Sequence, residues 1–297
     1  MRYDFVGVGG LAYDLVLRID RLPITDEKYP ARLIGKLPGG FIANATCAAA
    51  RLGLCTGYIG WVGEDAEGQM LHDDFIGWGV DPAGLVRVPG VPSPFTVIVS
   101  DNQGHRAILL PHSPLYNIPF SNEQLAIAGD AKVVFTFPRD LKWFGQLRRV
   151  TRESGGLLAL DVENTSPLQG QELRQALRLT DVVFVKHSSL SLVGVWSLRD
   201  LVTPGQWLIM TVGSSGAYGI ECGMEEPILQ PALPVEVVDS TGAGDCFHAA
   251  VLAARLKGAT LREAMVYASA AASIKVQYYG ARGGLPTRAE VEALLKE

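Results

Sequence analysis

The sequence predicts an α/β fold: a doubly wound, mostly parallel sheet covered by helices, with a small β-sheet attached as a lid. Three observations carry this. Short β-branched runs alternate with helical stretches over most of the 297 residues. Several of those runs are apolar throughout, as strands buried on both faces must be. Four further extended segments fall outside the alternation.

In chain order, strands of the main sheet are expected at 5–9, 56–61, 132–136, 157–162, 182–185 and 207–212. Helices are expected at 43–52, where Gly53 supplies the stop, and at 66–78, 121–128, 141–153 and 171–179. The C-terminal third turns helical, at 244–257, 261–276 and 288–296. The lid strands fall within about 13–37 and 94–111. Leu15, Leu17 and Ile19 alternate there with Val16, Arg18 and Asp20, and 31–37 is a second extended run. Segments 95–100 and 105–110 flank Asp101-Asn102-Gln103-Gly104, a hairpin turn signal. With no repeat or long linker, the chain reads as a single domain over 1–297.

Lys and Arg total 26 against 31 Asp and Glu, a formal net charge of −5. With no basic block or polybasic tail, the sequence argues against nucleic acid as the main partner. No stretch approaches the roughly 18 uncharged apolar residues of a membrane span, and residues 4–10 are too short and Gly-broken for a secretory core. Cys47, Cys55, Cys222 and Cys246 form no C-x-x-C pair and read as small buried hydrophobes of a cytoplasmic protein.

Gly7-Val8-Gly9-Gly10-Leu11-Ala12 fits a dinucleotide-binding turn, with Asp26 about twenty residues on. Such a turn needs a helix directly after it, whereas 13–20 alternates with the period of a strand. The glycines are read instead as allowing a ligand close to a strand end.

The stretch that carries chemistry is Asp239-Ser240-Thr241-Gly242-Ala243-Gly244-Asp245, followed by Cys246-Phe247-His248-Ala249-Ala250. Gly242 and Gly244 permit a tight turn, and the N–H groups of Gly242, Ala243 and Gly244 at a helix start can converge on one anion. Asp245 beside such a hole suits a general base acting on an attacking hydroxyl while the hole holds a phosphoryl group. A plain helix start with an acidic first turn is the alternative on spacing alone.

This stretch resembles the C-terminal signature of the ribokinase/PfkB carbohydrate-kinase family. Gly39-Gly40-Phe41-Ile42-Ala43-Asn44 and Ala48-Ala49-Ala50-Arg51-Leu52-Gly53 resemble its N-terminal signature. Asp14, Gly63-Glu64-Asp65 with Gly68, and Thr211-Val212-Gly213-Ser214-Ser215-Gly216 follow in family order, so the resemblance spans essentially the whole chain. It implies a Rossmann-like, ribokinase-like α/β/α domain with a β-lid, acting as an ATP-dependent carbohydrate kinase on a hydroxymethyl group of a small sugar or sugar acid. Asp245 is implied as catalytic base, with Gly242, Ala243 and Gly244 as anion hole. Asp14, Gly39, Gly40 and Asn44 are implied as sugar binders, the Gly pair bringing the sugar close to the backbone. Thr211, Gly213, Gly216, Asp239, Thr241 and Ala272 are implied at the nucleotide. The cofactors implied are ATP and Mg²⁺, with K⁺ at a loop formed by 280–284, and a homodimer through the lid is implied as in some relatives. A nucleoside kinase of the same family and a non-catalytic sugar-binding relative are the alternatives.

Three departures stand out. Relatives commonly carry Asn-x-x-Glu where this chain reads Lys186-His187-Ser188-Ser189-Leu190, which leaves the metal-holding residues unassigned. Ser269 stands where many members have Asn. Phe137-Pro138-Arg139 replaces an acidic position of ribokinases proper, which argues against plain ribose. Lys28 and Arg139 would suit an anionic group on the sugar, and the layout around Lys28 and Asp245 resembles the branch containing sulfofructose kinases. Solvated surface cations are the bland alternative. His248 is expected to pack near the site, and His105, His112 and Cys246 to be structural.

Overall fold

The computed structural model describes residues 1–103, 105–194 and 197–296. Gly104 of the expected hairpin turn lies outside the described residues. β1 (Tyr3–Val8) runs directly into two lid strands, β2 (Ala12–Arg18) and β3 (Arg32–Gly39), followed by α1 (Phe41–Arg51). β4 (Thr56–Gly63), α2 (Ala66–Trp78) and β5 (Val80–Val88) return to the main sheet before β6 (Phe95–Ser100) and β7 (Arg106–Leu109) complete the lid. Alternating units follow: α3 (Asn122–Gly129), β8 (Ala131–Thr136), α4 (Leu141–Ser154), β9 (Leu157–Val162), α5 (Gly170–Arg178), β10 (Val182–Lys186), the short α6 (Leu190–Val193) and β11 (Trp207–Thr211). An antiparallel pair, β12 (Ala217–Glu221) and β13 (Ile228–Gln230), leads to α7 (Ala243–Leu256), α8 (Leu261–Lys275) and α9 (Arg288–Leu294).

The main sheet has the order β13-β12-β11-β10-β9-β8-β1-β4-β5 and the lid the order β3-β2-β6-β7. β1 pairs in parallel with β4 on one side and β8 on the other, so the strand order reverses beside it. Ligands of such sheets bind beyond the carboxyl ends of the strands at that reversal, and the lid rises from the carboxyl end of β1. Apolar runs explain the layers: β4 is buried at every position, and each sheet face has its own core. Ile42, Phe75, Val251 and Ala264 belong to one core, and Phe144, Leu147 and Leu173 to the other. Helix ends follow local chemistry. Asp65 caps α2 through the Gly68 N–H at 2.7 Å, and Gly79 ends it in the left-handed conformation.

β5, β12 and β13 were not among the expected strands. β5 carries Pro82 and Gly84 and lies at the sheet edge, where proline is tolerated. The glycine turn at 7–12 does lead into a strand, as its alternation predicts. One expectation is corrected. Cys55 and Cys222 are exposed, and only Cys47 and Cys246 are buried, because the former two sit in connections rather than inside a core-facing helix. In the lid, Ile19 is buried, and Leu15 and Leu17 are half-buried. The large apolar side chains the lid strands expose are Leu33, Ile34, Leu37, Ile108 and Leu109. Among the described residues, no helix is long and apolar enough to cross a membrane.

Candidate active site

α7 begins at the glycine turn. Gly242 adopts a left-handed φ of 78° and backs onto the Ala281 carbonyl, where a Cβ has no room. Asp239 shapes the turn: one carboxylate oxygen accepts from the Thr241 N–H at 2.9 Å and its hydroxyl at 2.7 Å, the other from the Gly280 N–H at 2.9 Å. Burial pushes this carboxyl up, and those donors more than reverse it, leaving it below the usual range. The Ala243 N–H donates back to the Ser240 carbonyl at 3.2 Å. It therefore closes the turn instead of facing an anion, a correction to the expected three-amide hole. The N–H groups of Gly242, Gly244 and Asp245 find no acceptor among the described residues, so this helix end presents free donors. Gly244 has open space on its Cβ side, the nearest atom being His248 Cε1 at 4.0 Å. Neither its backbone nor protein packing requires a glycine there, which leaves room for a ligand.

Asp245 sits in the first turn of α7. Burial pushes its carboxyl up to about 6; the Asn44 hydrogen bond lowers it, and the field of Asp161 raises it. The Asn44 amide donates to Asp245 Oδ2 at 2.8 Å. Asn44 in turn accepts from Arg282 Nε at 2.9 Å, and Arg282 continues to the Gly39 carbonyl at 3.3 Å and to an ion pair with Asp74. A buried chain Asp74–Arg282–Asn44–Asp245 thus joins α2, the loop before α9, α1 and α7. Asp14 of β2 accepts from the Thr96 hydroxyl of β6. Burial raises its carboxyl above the usual range against that hydrogen bond and the Arg282 charge. A Cβ on Gly39 would strike the Asp14 carboxylate, and one on Gly40 (φ 93°) the Gly10 carbonyl. The Gly pair therefore seats Asp14 and the chain against the protein's own backbone, a correction to its expected reason.

Several groups here were not singled out from the sequence as site residues. Beneath Asp245, Asp161 at the end of β9 and His248 of α7 are 1% and 2% exposed, with His248 Nδ1 3.3 Å from Asp161 Oδ2. His248 stacks on Phe184 at 4.2 Å, so it packs. At the adjacent strand ends Lys186 Nζ lies 2.7 Å from Glu163 Oε1, and the Ser188 and Ser189 hydroxyls reach Asn164 Oδ1 at 3.2 and 2.6 Å. Burial, then the field of Asp161, pushes the Glu163 carboxyl up. Arg106 of the lid strand β7 reaches across to the Thr241 hydroxyl at 3.1 Å, linking the lid to the glycine turn.

Thr211 ends β11, and Gly213 and Gly216 turn the chain with φ of 61° and 101°. Gly216 lies against the Gln230 carbonyl, while Gly213 faces open space. Ala272 lies half-buried on α8, where Ser269 donates to the Pro231 carbonyl at 3.0 Å. Arg139 is 12% exposed, over the Trp143 ring at 5.5 Å and 3.9 Å from Asp140. It is not a solvated surface cation. Lys28 is exposed in the loop between β2 and β3, and no described contact joins it to Arg139.

Residues 4–288 match the family described as pfkB family carbohydrate kinase. The chain is 28% identical over 295 residues to a ribokinase of Bacillus subtilis, covering 97% of this chain and 98% of that one. It is 25% identical over 295 residues to a nucleoside kinase of Methanothermobacter thermautotrophicus, covering 97% and 94%. The structure of Arabidopsis thaliana ribokinase complexed with ribose and ATP superimposes with a TM-score of 0.86, at 28% identity and full coverage of both chains. The fold, the glycine turn with its carboxylate, and a match over nearly every residue lead to one conclusion: the chain belongs to the pfkB family of carbohydrate kinases.

Proposed function

We propose that this kinase transfers the γ-phosphoryl group of ATP to a hydroxymethyl group of a small sugar or sugar acid. The observation that carries the reading is the Asp245 carboxylate held by Asn44 beside the free N–H groups of Gly242 and Gly244. With Oδ2 engaged by Asn44, Oδ1 is the oxygen that takes the proton from the acceptor hydroxyl. The alcohol oxygen bonds to the γ-phosphorus, the bond to the β–γ bridging oxygen breaks, ADP leaves, and the proton stays on Asp245. The free N–H groups stabilise charge on the γ-phosphoryl oxygens. Asp14, seated against Gly39, and Asn44 hold the sugar. Thr211, Gly213, Gly216 and Ala272 border the nucleotide, while Asp239 and Thr241 serve it by fixing the turn. Closure of the lid, with Arg106 over Thr241, excludes water.

The residues present fit a phosphate-borne Mg²⁺. Among the described residues no three His, Cys, Asp or Glu side chains cluster as a metal cage, and Mg²⁺ keeps much of its water and binds through few carboxylates. Glu163, whose carboxylate pairs with Lys186, would hold that hydration, and Mg²⁺ would neutralise charge on the phosphates. The K⁺ that the resemblance implies has a competitor, because the Lys275 ammonium already donates to the Asp239 carbonyl. The exposed apolar side chains of the lid would pair across a homodimer, and a cytoplasmic location fits a kinase that draws its phosphoryl group from ATP.

Arg139 and Lys28 favour a sugar with an anionic substituent, such as a carboxylate, sulfonate or phosphate, the sulfofructose type included. The relative named a nucleoside kinase supports a second reading in which a nucleoside is the acceptor. A thermal-shift panel with a non-hydrolysable ATP analogue tests both, since the substrate raises Tm by mass action. Sugar acids and sulfonated or phosphorylated ketoses are expected to shift Tm more than ribose; a shift by nucleosides alone would replace the sugar reading.

A further inference from the structure

Directly behind the glycine turn lies a cation that the transfer step does not use. Lys275 closes α8 and its side chain is 0% exposed. Its Nζ donates to the main-chain carbonyl of Asp239 at 3.1 Å and to that of Tyr278 at 3.4 Å. Among the described residues no carboxylate pairs with it, although buried lysines ordinarily need one. The two carbonyls belong to the two loops that build the anion site. Val238 and Asp239 donate N–H groups to the Val276 carbonyl at 2.9 and 3.0 Å, Gly280 donates to Asp239 Oδ2, and Gly242 rests on Ala281. Converging backbone carbonyls beside a carboxylate are the ligand set of a dehydrated monovalent cation. Here they do not fit a free K⁺: the Asp239 and Tyr278 carbonyls face an ammonium, and Asp239 Oδ2 faces an N–H.

We infer that Lys275 is a tethered replacement for the monovalent cation, holding the 239–244 and 276–284 loops together and so making the phosphoryl site independent of K⁺. Lys275 is a positioning residue that touches neither sugar nor phosphate. Its three donors match acceptor-only partners, and no ordering entropy is lost in capturing an ion from solution. Burial draws its pKa down against the opposing fields of Asp239, Cys246 and Asp245. The inference rests on the kinase reading for its activity measurement, and the stability measurement below needs no substrate.

The full-length protein is assayed with N-methylglucamine as sole monovalent cation and again with K⁺ or NH₄⁺ at equal ionic strength. The wild type is expected to hold kcat within about twofold across these salts and to show the same Tm in each. Lys275→Ala is expected to lose at least about tenfold in kcat without K⁺, to regain most of it with K⁺ or NH₄⁺, and to gain a K⁺-dependent rise in Tm. Lys275→Arg, which keeps the charge, tests the cation should the alanine variant fail to fold; it is expected to remain indifferent to K⁺. Activation of the wild type by K⁺ of about tenfold or more, or a folded Lys275→Ala whose activity and Tm no cation raises, overturns the inference. Absence of turnover on any sugar or nucleoside would sink the kinase reading alone, because the Tm comparison still reports on Lys275.

Discussion

Asn44 and Asp245 are 201 residues apart in the chain, and the Asn44 amide donates to Asp245 Oδ2 at 2.8 Å. The direction of this bond is fixed from behind, because Arg282 Nε donates to Asn44 Oδ1 and leaves only the NH₂ group to face Asp245. One carboxylate oxygen is thereby occupied and the other is left for a substrate proton.

The pH dependence of turnover follows from that arrangement. Burial places the Asp245 carboxyl at about 6, so kcat/KM should fall on the acid side of pH 6 with one proton bound and level off above it. Because the Asn44 bond lowers this pKa, Asn44→Ala should move the acid limb to higher pH and raise KM for the sugar. An unmoved limb would show that Asn44 does not govern Asp245.

Stability carries the opposite sign. A carboxyl raised from 3.8 to about 6 binds a proton more tightly in the folded state, so folding loses stability as pH rises through that window. Asp245→Asn should therefore melt higher than wild type at pH 7–8, by at most about 3 kcal/mol. The gap should close below pH 4, as differential scanning calorimetry across pH would reveal.

Gly242 and Gly244 should respond differently to alanine. Gly242→Ala meets both a left-handed φ and the Ala281 carbonyl, so it should lower Tm. Gly244→Ala has free space and helical backbone; it should keep Tm while lowering kcat about 10²-fold by filling the anion site. Paired melting and kinetic measurements check this.

Arg282→Met removes the partner of the half-buried Asp74 and should cost about 3 kcal/mol in urea unfolding. Adding Asp74→Asn should recover much of the stability without recovering KM, since Asn44 still lacks its brace.

How much of this was legible in the sequence depends on range. The glycine turn, Asp245 and Asn44 are short motifs whose backbone demands are local, and the helices carry their own stops, as Gly53 and Gly79 do. The lid was legible through period-two alternation at Leu15, Leu17 and Ile19. β5 was hidden by Pro82 and Gly84, residues that an edge strand accepts. Arg282, Asp74 and Lys275 gave no signal, because their partners are brought together only by the packing of α1, α2, α7 and α8 with the loops before α7 and α9. The reversed Ala243 N–H and the fit of Gly39 against Asp14 were likewise set by three-dimensional closeness.

The most direct test is kcat of Asp245→Asn under saturating sugar and ATP, with substrate binding followed by thermal shift on the same protein. The arrangement predicts at least about a 10²-fold loss of kcat with binding of both substrates nearly intact. Turnover close to wild type in a variant that binds both substrates would contradict it.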